Sequence, residues 1–180
     1  LARTVQKPAG NPRLADLNRD DSSYAYLANL VTVNQVRYGI GAQADLTART
    51  IISDQTGVDF VVTDGITEVR THCNLPGRFN VSNCLAAITA TYAGLGIAVE
   101  AIQTGIASIE GIPGRMEWIN LGQDFLAVVD FAHTPHALRQ ALAAAKGILA
   151  GRQGSGIIIF VFGSACLRYR AKRRMMAEVA

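Results

Sequence analysis

The stretch Phe125-Leu126-Ala127-Val128-Val129-Asp130-Phe131-Ala132-His133-Thr134-Pro135 reads as a strand running into a helix. Phe125 to Val129 is an apolar run, and Asp130 ends it. Thr134 is placed to cap, and Pro135 has the fixed φ that suits a first helical position. The Ala/Leu-rich text that follows predicts a helix to about Leu149. Ile157 to Phe162 is then an uninterrupted β-branched and aromatic run, which predicts a central parallel strand. Gly163 to Ala171 reads as a loop, and a further helix begins near Lys172. Strand, helix and strand make a βαβ unit, normally right-handed. Its ligand edge lies at the carboxyl ends of the strands, at Asp130 and Gly163.

Upstream the pattern differs. Residues 1–14 are polar and carry Pro8, Gly10 and Pro12, so they read as a loop. Leu14 to Leu17 suits a short strand, Asn18-Arg19-Asp20-Asp21-Ser22-Ser23 a turn, and Tyr24 to Leu30 a short helix. Gln35–Gly39, Ala48–Ser53, Val58–Thr63 and Thr67–His72 read as strands, and Gly65-Ile66 joins the last two in a hairpin. A small antiparallel sheet is the expectation. Asn80 is the expected cap of a helix over Val81–Ala93, with Leu85, Ile88 and Tyr92 on one face and Gly94 and Gly96 at its end. A second helix is predicted over Val99–Ile109 and stopped by Gly111. Gly111-Ile112-Pro113-Gly114 is the best boundary, dividing the chain into residues 1–112 and 113–180.

The composition admits a sizeable core: 49% of the 180 residues are hydrophobic and 17% are charged, against about 25% charged in an average domain. A net charge of +3 gives little reason to expect a polyanionic partner. Cys73, Cys84 and Cys166 form no CxxC pair, and such a sparse, odd set suits a reducing compartment. The apolar runs are too short to span a membrane, and a cytoplasmic protein is expected. Leu1 in place of Met, and helical text without a stop signal up to Ala180, are expected of a piece of a longer protein.

Several residues are candidates for chemistry. Asp130 at a strand end suits a ribose diol, or else caps neighbouring backbone amides. His133 suits a base or a phosphate, or else a satisfied turn. Arg115, just after a Pro-Gly hinge, suits bidentate contact with phosphate, or else solvent. Of Asn80 and Asn83, one can cap the helix, and the other keeps an amide whose donor and acceptor match an adenine edge. Arg168, Arg170, Lys172, Arg173 and Arg174 flank a helix start. They form either an anion site or a solvated basic face. No GxxxxGK[ST] loop, GxGxxG, metal-ligand spacing or GxSxG appears. Without an aromatic platform, the basic cluster does not point to nucleic acid.

Three strings, Leu75-Pro76-Gly77-Arg78-Phe79-Asn80-Val81-Ser82-Asn83, Gly111-Ile112-Pro113-Gly114-Arg115-Met116-Glu117 and Asp130 to Pro135, together with Asn18-Arg19-Asp20-Asp21, resemble the Mur ligase family in order and spacing. The resemblance is to its UDP-N-acetylmuramoyl-tripeptide synthetase type and covers nearly the whole chain. It implies an α/β chain: the late part of a central ATPase domain, a small antiparallel sheet plus helices, then the first βαβ of a Rossmann-like C-terminal domain. It also implies an ATP-dependent ligase of cell-wall peptidoglycan synthesis. Such an enzyme joins diaminopimelate, lysine or another amino acid to a UDP-N-acetylmuramoyl peptide through an acyl phosphate, with magnesium on the phosphates.

Carried over by position, Asn83 would contact adenine, Arg115 the phosphates and Asp130 the ribose, with His133 beside the nucleotide. Arg168, Lys172 and Arg173 are candidate phosphate or substrate contacts. The family's phosphate loop, modified lysine and magnesium ligands have no counterpart in these residues, so catalytic and metal residues are expected elsewhere and the 180-residue chain is expected to be inactive. Phe131 stands where the family pattern has Tyr, and Gly163 to Arg170 departs further. There Leu167 and Tyr169 replace two acids, and Ala165 and Cys166 replace two glycines. Those departures motivate a rival reading as a catalytically impaired paralogue with a binding or structural role. A related ligase, a cyanophycin synthetase or a folylpolyglutamate-like enzyme, is a second rival.

Overall fold

The computed structural model describes residues 13–54, 56–151, 156–163 and 170–180. The first part is a five-stranded sheet in the order β1-β2-β3-β4-β5. Its strands are β1 (Leu14–Asn18), β2 (Asn34–Gly39), β3 (Leu46–Ser53), β4 (Val58–Thr63) and β5 (Glu68–Cys73). The turn at 64–67 pairs β4 and β5 as the expected hairpin, with Val58 opposite Cys73 and Thr63 opposite Glu68. Asp64 shapes that turn by accepting from the Ile66 and Thr67 amides at 2.9 and 2.8 Å.

The sheet is mixed, which corrects the expectation of an antiparallel one. β1 pairs with β2 and β2 with β3 in parallel, and only β3-β4 and β4-β5 are antiparallel. The physical cause is the connection. A hairpin reverses the chain, whereas α1 (Tyr24–Leu30) carries it back between β1 and β2 so that both run the same way.

Helix α2 (Arg78–Leu95) packs on β1, β2 and β3. Val81, Cys84, Leu85 and Ile88 recur at helical spacing and are all buried against Leu46, Ala48, Val58, Phe60 and Val62 of the sheet. Each such side chain withdrawn from water contributes about 1.5–3 kcal/mol. Tyr92, one turn further on, is 43% exposed, so the buried face is shorter than the periodicity suggests. Gly96 ends α2 at φ +67, the left-handed conformation glycine tolerates. Helix α3 (Val99–Ala107) buries Ile106 and packs Ile102 on the same core. Cys73 and Cys84 are free and buried.

The helix α2 starts earlier than expected. Gly77, not Asn80, is its N-cap. Asn80 is buried in the first turn, and its amide donates to the Pro76 carbonyl at 2.9 Å. A buried amide needs a partner more than the helix needs a side-chain cap.

The second part begins with β6 (Glu117–Ile119) and β7 (Ala127–Val129), paired antiparallel with Glu117 opposite Val129. Helix α4 (Pro135–Ala150) follows. Thr134 caps it as expected, its hydroxyl accepting from the Ala137 amide at 3.1 Å. Helix α5 (Arg170–Val179) packs on α4. Two strand expectations are corrected. β7 covers only three residues, and Val128 and Val129 are exposed rather than buried. Residues 157–162 form no strand, and Ile157, Ile159 and Val161 are 84%, 81% and 89% exposed. A strand is held by its neighbours' hydrogen bonds, and among the described residues no strand lies beside this run. The predicted parallel pair is therefore not formed here.

Candidate nucleotide site at the Gly114 turn and the Asp130 strand end

The turn 114–116 and the strand end 130–133 come together as neighbours across β6 and β7. Phe131 N–H donates to the Gly114 carbonyl at 2.7 Å. Met116 N–H donates to one Asp130 carboxylate oxygen at 2.9 Å, and Ala132 N–H to the other at 2.8 Å. Gly114 N–H donates to Glu117 Oε2 at 2.7 Å, closing the turn on itself. Gly114 at φ +69 and Met116 at φ +49 both lie in the left-handed region, which a methionine seldom occupies. Burial of the Met116 side chain and the Asp130 bond hold it there.

Asp130 thus takes the second of the two roles open to it in sequence: its carboxylate organises backbone amides. Those bonds use two of the roughly four acceptor positions a carboxylate offers, so acceptor capacity remains for a diol. Arg115 is exposed, and its guanidinium carbon lies 5.0 Å from the centroid of the Phe131 ring. His133 is also exposed. Its ring lies 4.9 Å from the same ring, and its Nδ1 is 3.1 Å from the Phe131 carbonyl oxygen. Arg115, Asp130 and His133 therefore gather around Phe131, a residue that sequence reasoning noted only as a replacement for tyrosine.

Asn83 is not brought into that group by any of its hydrogen bonds. It sits in the second turn of α2, because the helix begins at Arg78, and its amide donates to Asn80 Oδ1 at 3.1 Å. Its side chain is exposed. Next to it, Ser82 accepts from Asn18 Nδ2 at 3.4 Å, which sets the β1–α1 turn against α2. In that turn Asp20 accepts from the Gly41 and Ala42 amides at 3.1 and 2.8 Å, pinning the loop that leaves β2. Glycines at 39 and 41 flank that contact and are its one sequence signal. The Asp21 carboxyl is held below the ordinary carboxylate range, chiefly by the Ser23 amide and then by the Ser23 hydroxyl, with a smaller contribution from His136 of α4.

Lys172 is half-buried and Arg173 exposed, both on α5. Among the described residues no hydrogen bond or ion pair joins them to the Arg115 group, and on α5 Arg174 is paired with Glu178 at 2.8 Å. Arg168 lies outside the described residues, as do the departures at 165–169. Among the described residues no three His, Cys, Asp or Glu side chains cluster to hold a metal. No helix described is long and apolar enough to cross a membrane.

A mixed sheet backed by one long helix, followed by a β-hairpin pair and two further helices beyond the Gly-Arg-Met turn, makes this an α/β protein. Residues 6–91 match the family model of the Mur ligase middle domain, and residues 114–180 that of the Mur ligase glutamate ligase domain. The chain belongs to the Mur ligase family.

It is 39% identical over 172 residues to the UDP-N-acetylmuramoyl-L-alanyl-D-glutamate–2,6-diaminopimelate ligase of Solibacter usitatus, covering 95% of this chain and 34% of that protein. It is 36% identical over 171 residues to the protein of the same name from Bacillus velezensis, covering 94% and 33%. A solved structure of a ligase of that name superposes with a TM-score of 0.64 at 28% identity, over 93% of this chain and 34% of the other. MurF from Acinetobacter baumannii shares the fold, with a TM-score of 0.65 at 22% identity over 78% and 30% of the two chains. The chain spans about a third of the length of the curated relatives it matches, 34% and 33%.

Proposed function

We propose that the chain is the late central part and the first C-terminal part of an ATP-dependent amide ligase of peptidoglycan synthesis, acting in the cytoplasm. The whole enzyme adds an amino acid to UDP-N-acetylmuramoyl-L-alanyl-D-glutamate, and diaminopimelate is the one in the names of the two relatives given above. ATP converts the peptide carboxylate to an acyl phosphate. The amine of the incoming amino acid attacks it, and phosphate leaves. Magnesium would neutralise phosphate charge when bound, on ligands outside the residues described here.

The observation that supports this reading is the convergence of Arg115, Asp130 and His133 at the turn that opens the second matched family segment. In it Arg115 binds ATP phosphates, Asp130 uses its spare acceptor positions on the ribose, and His133 lies beside the nucleotide. Asn83, exposed on α2, takes the adenine edge. Lys172 and Arg173, with Arg168, are the candidate contacts for phosphate or acidic substrate. The division at 112/113 is supported by the same two matches and by the Gly111–Gly114 stretch. Closure of the two parts over the nucleotide would then assemble the site.

The test is phosphate release by the full-length parent protein, dependent on the muramyl dipeptide substrate and on diaminopimelate. Asp130→Ala in that protein is expected to raise KM for ATP. An unchanged KM removes Asp130 from the site, and no amino-acid-dependent phosphate release defeats the ligase reading. The isolated 180-residue chain is expected to release no ADP.

A further inference from the structure

The geometry points to Phe131 as the positioning residue of Arg115: its ring face holds the guanidinium in place for nucleotide phosphates. The inference rests on the ATP reading of Arg115 and adds a residue to it. Phe131 is 60% exposed, so core packing does not account for an aromatic side chain here. The residue of this turn that fills the core is Met116, which is buried. Instead the Phe131 ring has Arg115 over it, 5.0 Å from Cζ to centroid, and His133 against it at 4.9 Å.

The backbone makes that arrangement stiff. The Phe131 amide bonds the Gly114 carbonyl, and the Asp130 carboxylate bonds the Met116 amide, so the residues on either side of Arg115 are each tied to the strand end that carries the ring. A free arginine side chain samples many rotamers. One held flat on a ring face by the π quadrupole loses less entropy on taking up a phosphate.

The experiment is a calorimetric titration of the full-length parent protein with ATP and, separately, with adenosine. Arg115→Ala is expected to weaken ATP binding by about tenfold or more, as loss of a charged hydrogen bond does. Phe131→Leu is expected to weaken ATP binding about two- to fivefold, the scale of an exposed cation–π contact, and to leave adenosine binding as it was. The double variant is expected to be no weaker than Arg115→Ala alone, because the ring acts through the arginine. Phe131→Tyr, which keeps the ring face, is expected to recover most of the loss.

Three results would overturn the inference while sparing the ATP reading: Phe131→Leu binding ATP like the unaltered parent protein, additive losses in the double variant, or equal losses for ATP and adenosine. If Arg115→Ala leaves ATP binding unchanged, or the unaltered parent protein binds no ATP, the nucleotide reading itself falls and the inference with it.

Discussion

The two parts of the chain bury their apolar residues to different degrees. In the first, β1 to β5 close one continuous ladder, and α2 and α3 cover it, so that Val58, Phe60, Val81 and Leu85 are almost fully buried. In the second, β6 and β7 form a pair of three-residue strands, and among the described residues the buried apolar side chains are Met116, Leu138, Ile148 and Met176. Phe125, Val129, Ile157, Ile159 and Val161 remain largely exposed there. The apolar character of a segment marks it for burial, but a strand is buried only when neighbouring strands and helices occupy both its faces.

The largest test of this contrast sets Leu85→Ala against Leu138→Ala, both fully buried in the parent chain. Leu85→Ala is expected to destabilise the first part by about 2–5 kcal/mol. That loss would appear as a lower urea midpoint for hydrogen-exchange protection of the α2 and β4 amides. Leu138→Ala is expected to shift the fluorescence transition of Trp118, the single tryptophan, while leaving that protection midpoint nearly in place. Equal shifts of both signals by either variant would show that the two parts unfold as one unit and would break the contrast.

A smaller effect is expected within the first part, at Asp16. This half-buried carboxylate on β1 has one oxygen with no hydrogen-bond partner, and burial pushes its pKa up to about 6 from an ordinary 3.8. The folded chain therefore holds the proton more tightly than the unfolded one. Stability falls as pH rises from about 4 to about 6 and stays lower above that. Converted directly, such a shift is about 3 kcal/mol. Partial exposure reduces that to about 1–2 kcal/mol. Asp16→Asn is expected to raise the unfolding free energy by that amount at pH 8 and to change little at pH 4. A variant no more stable at pH 8 would remove the penalty assigned to Asp16.

The smallest effect concerns His72. Its Nδ1 lies 2.9 Å from an Asp59 carboxylate oxygen and its Nε2 3.0 Å from Asn74 Oδ1. The Asn74 amide nitrogen already donates to the Ala107 and Ile109 carbonyls, so its oxygen is the acceptor and both ring nitrogens donate. The imidazolium form fits, and the Asp59 hydrogen bond raises the pKa above 6.5. The contribution is fully present below the unfolded pKa near 6.5 and is lost as pH rises through the folded value. His72→Gln is expected to cost under about 1 kcal/mol at pH 6, as partly exposed pairs do, and nothing at pH 9. A loss that persists at pH 9 would place the role of His72 in packing rather than charge.

Local signals were legible in the sequence. The Gly65-Ile66 hairpin, the span of α1 from Tyr24 to Leu30, the Thr134-Pro135 helix start and the Gly96 helix end all appear where their residues pointed. Of the site, Arg115, Asp130 and His133 were legible as candidates from their positions at a hinge and a strand end. Phe131 was not legible as a partner of Arg115, because nothing in the fifteen intervening positions reports that two backbone ties bring 114 and 116 against 130 and 131. Asn80 was misread as a cap because the cap rule is local, whereas burial of its side chain is decided by the packed structure.

The sequence by itself determined most helix spans, the hairpin, the candidate residues for a nucleotide site and the family to which the chain belongs. These depend on contacts within a few residues, or on strings long enough to be specific. Only the tertiary structure decided that β1, β2 and β3 run parallel, that 157–162 has no strand beside it among the described residues, and that the Asp130 carboxylate holds the turn bearing Arg115. Each of these turns on a pairing between residues distant in the chain. Such a pairing is selected by the free energy of the whole packed arrangement, and no short window of residues contains it.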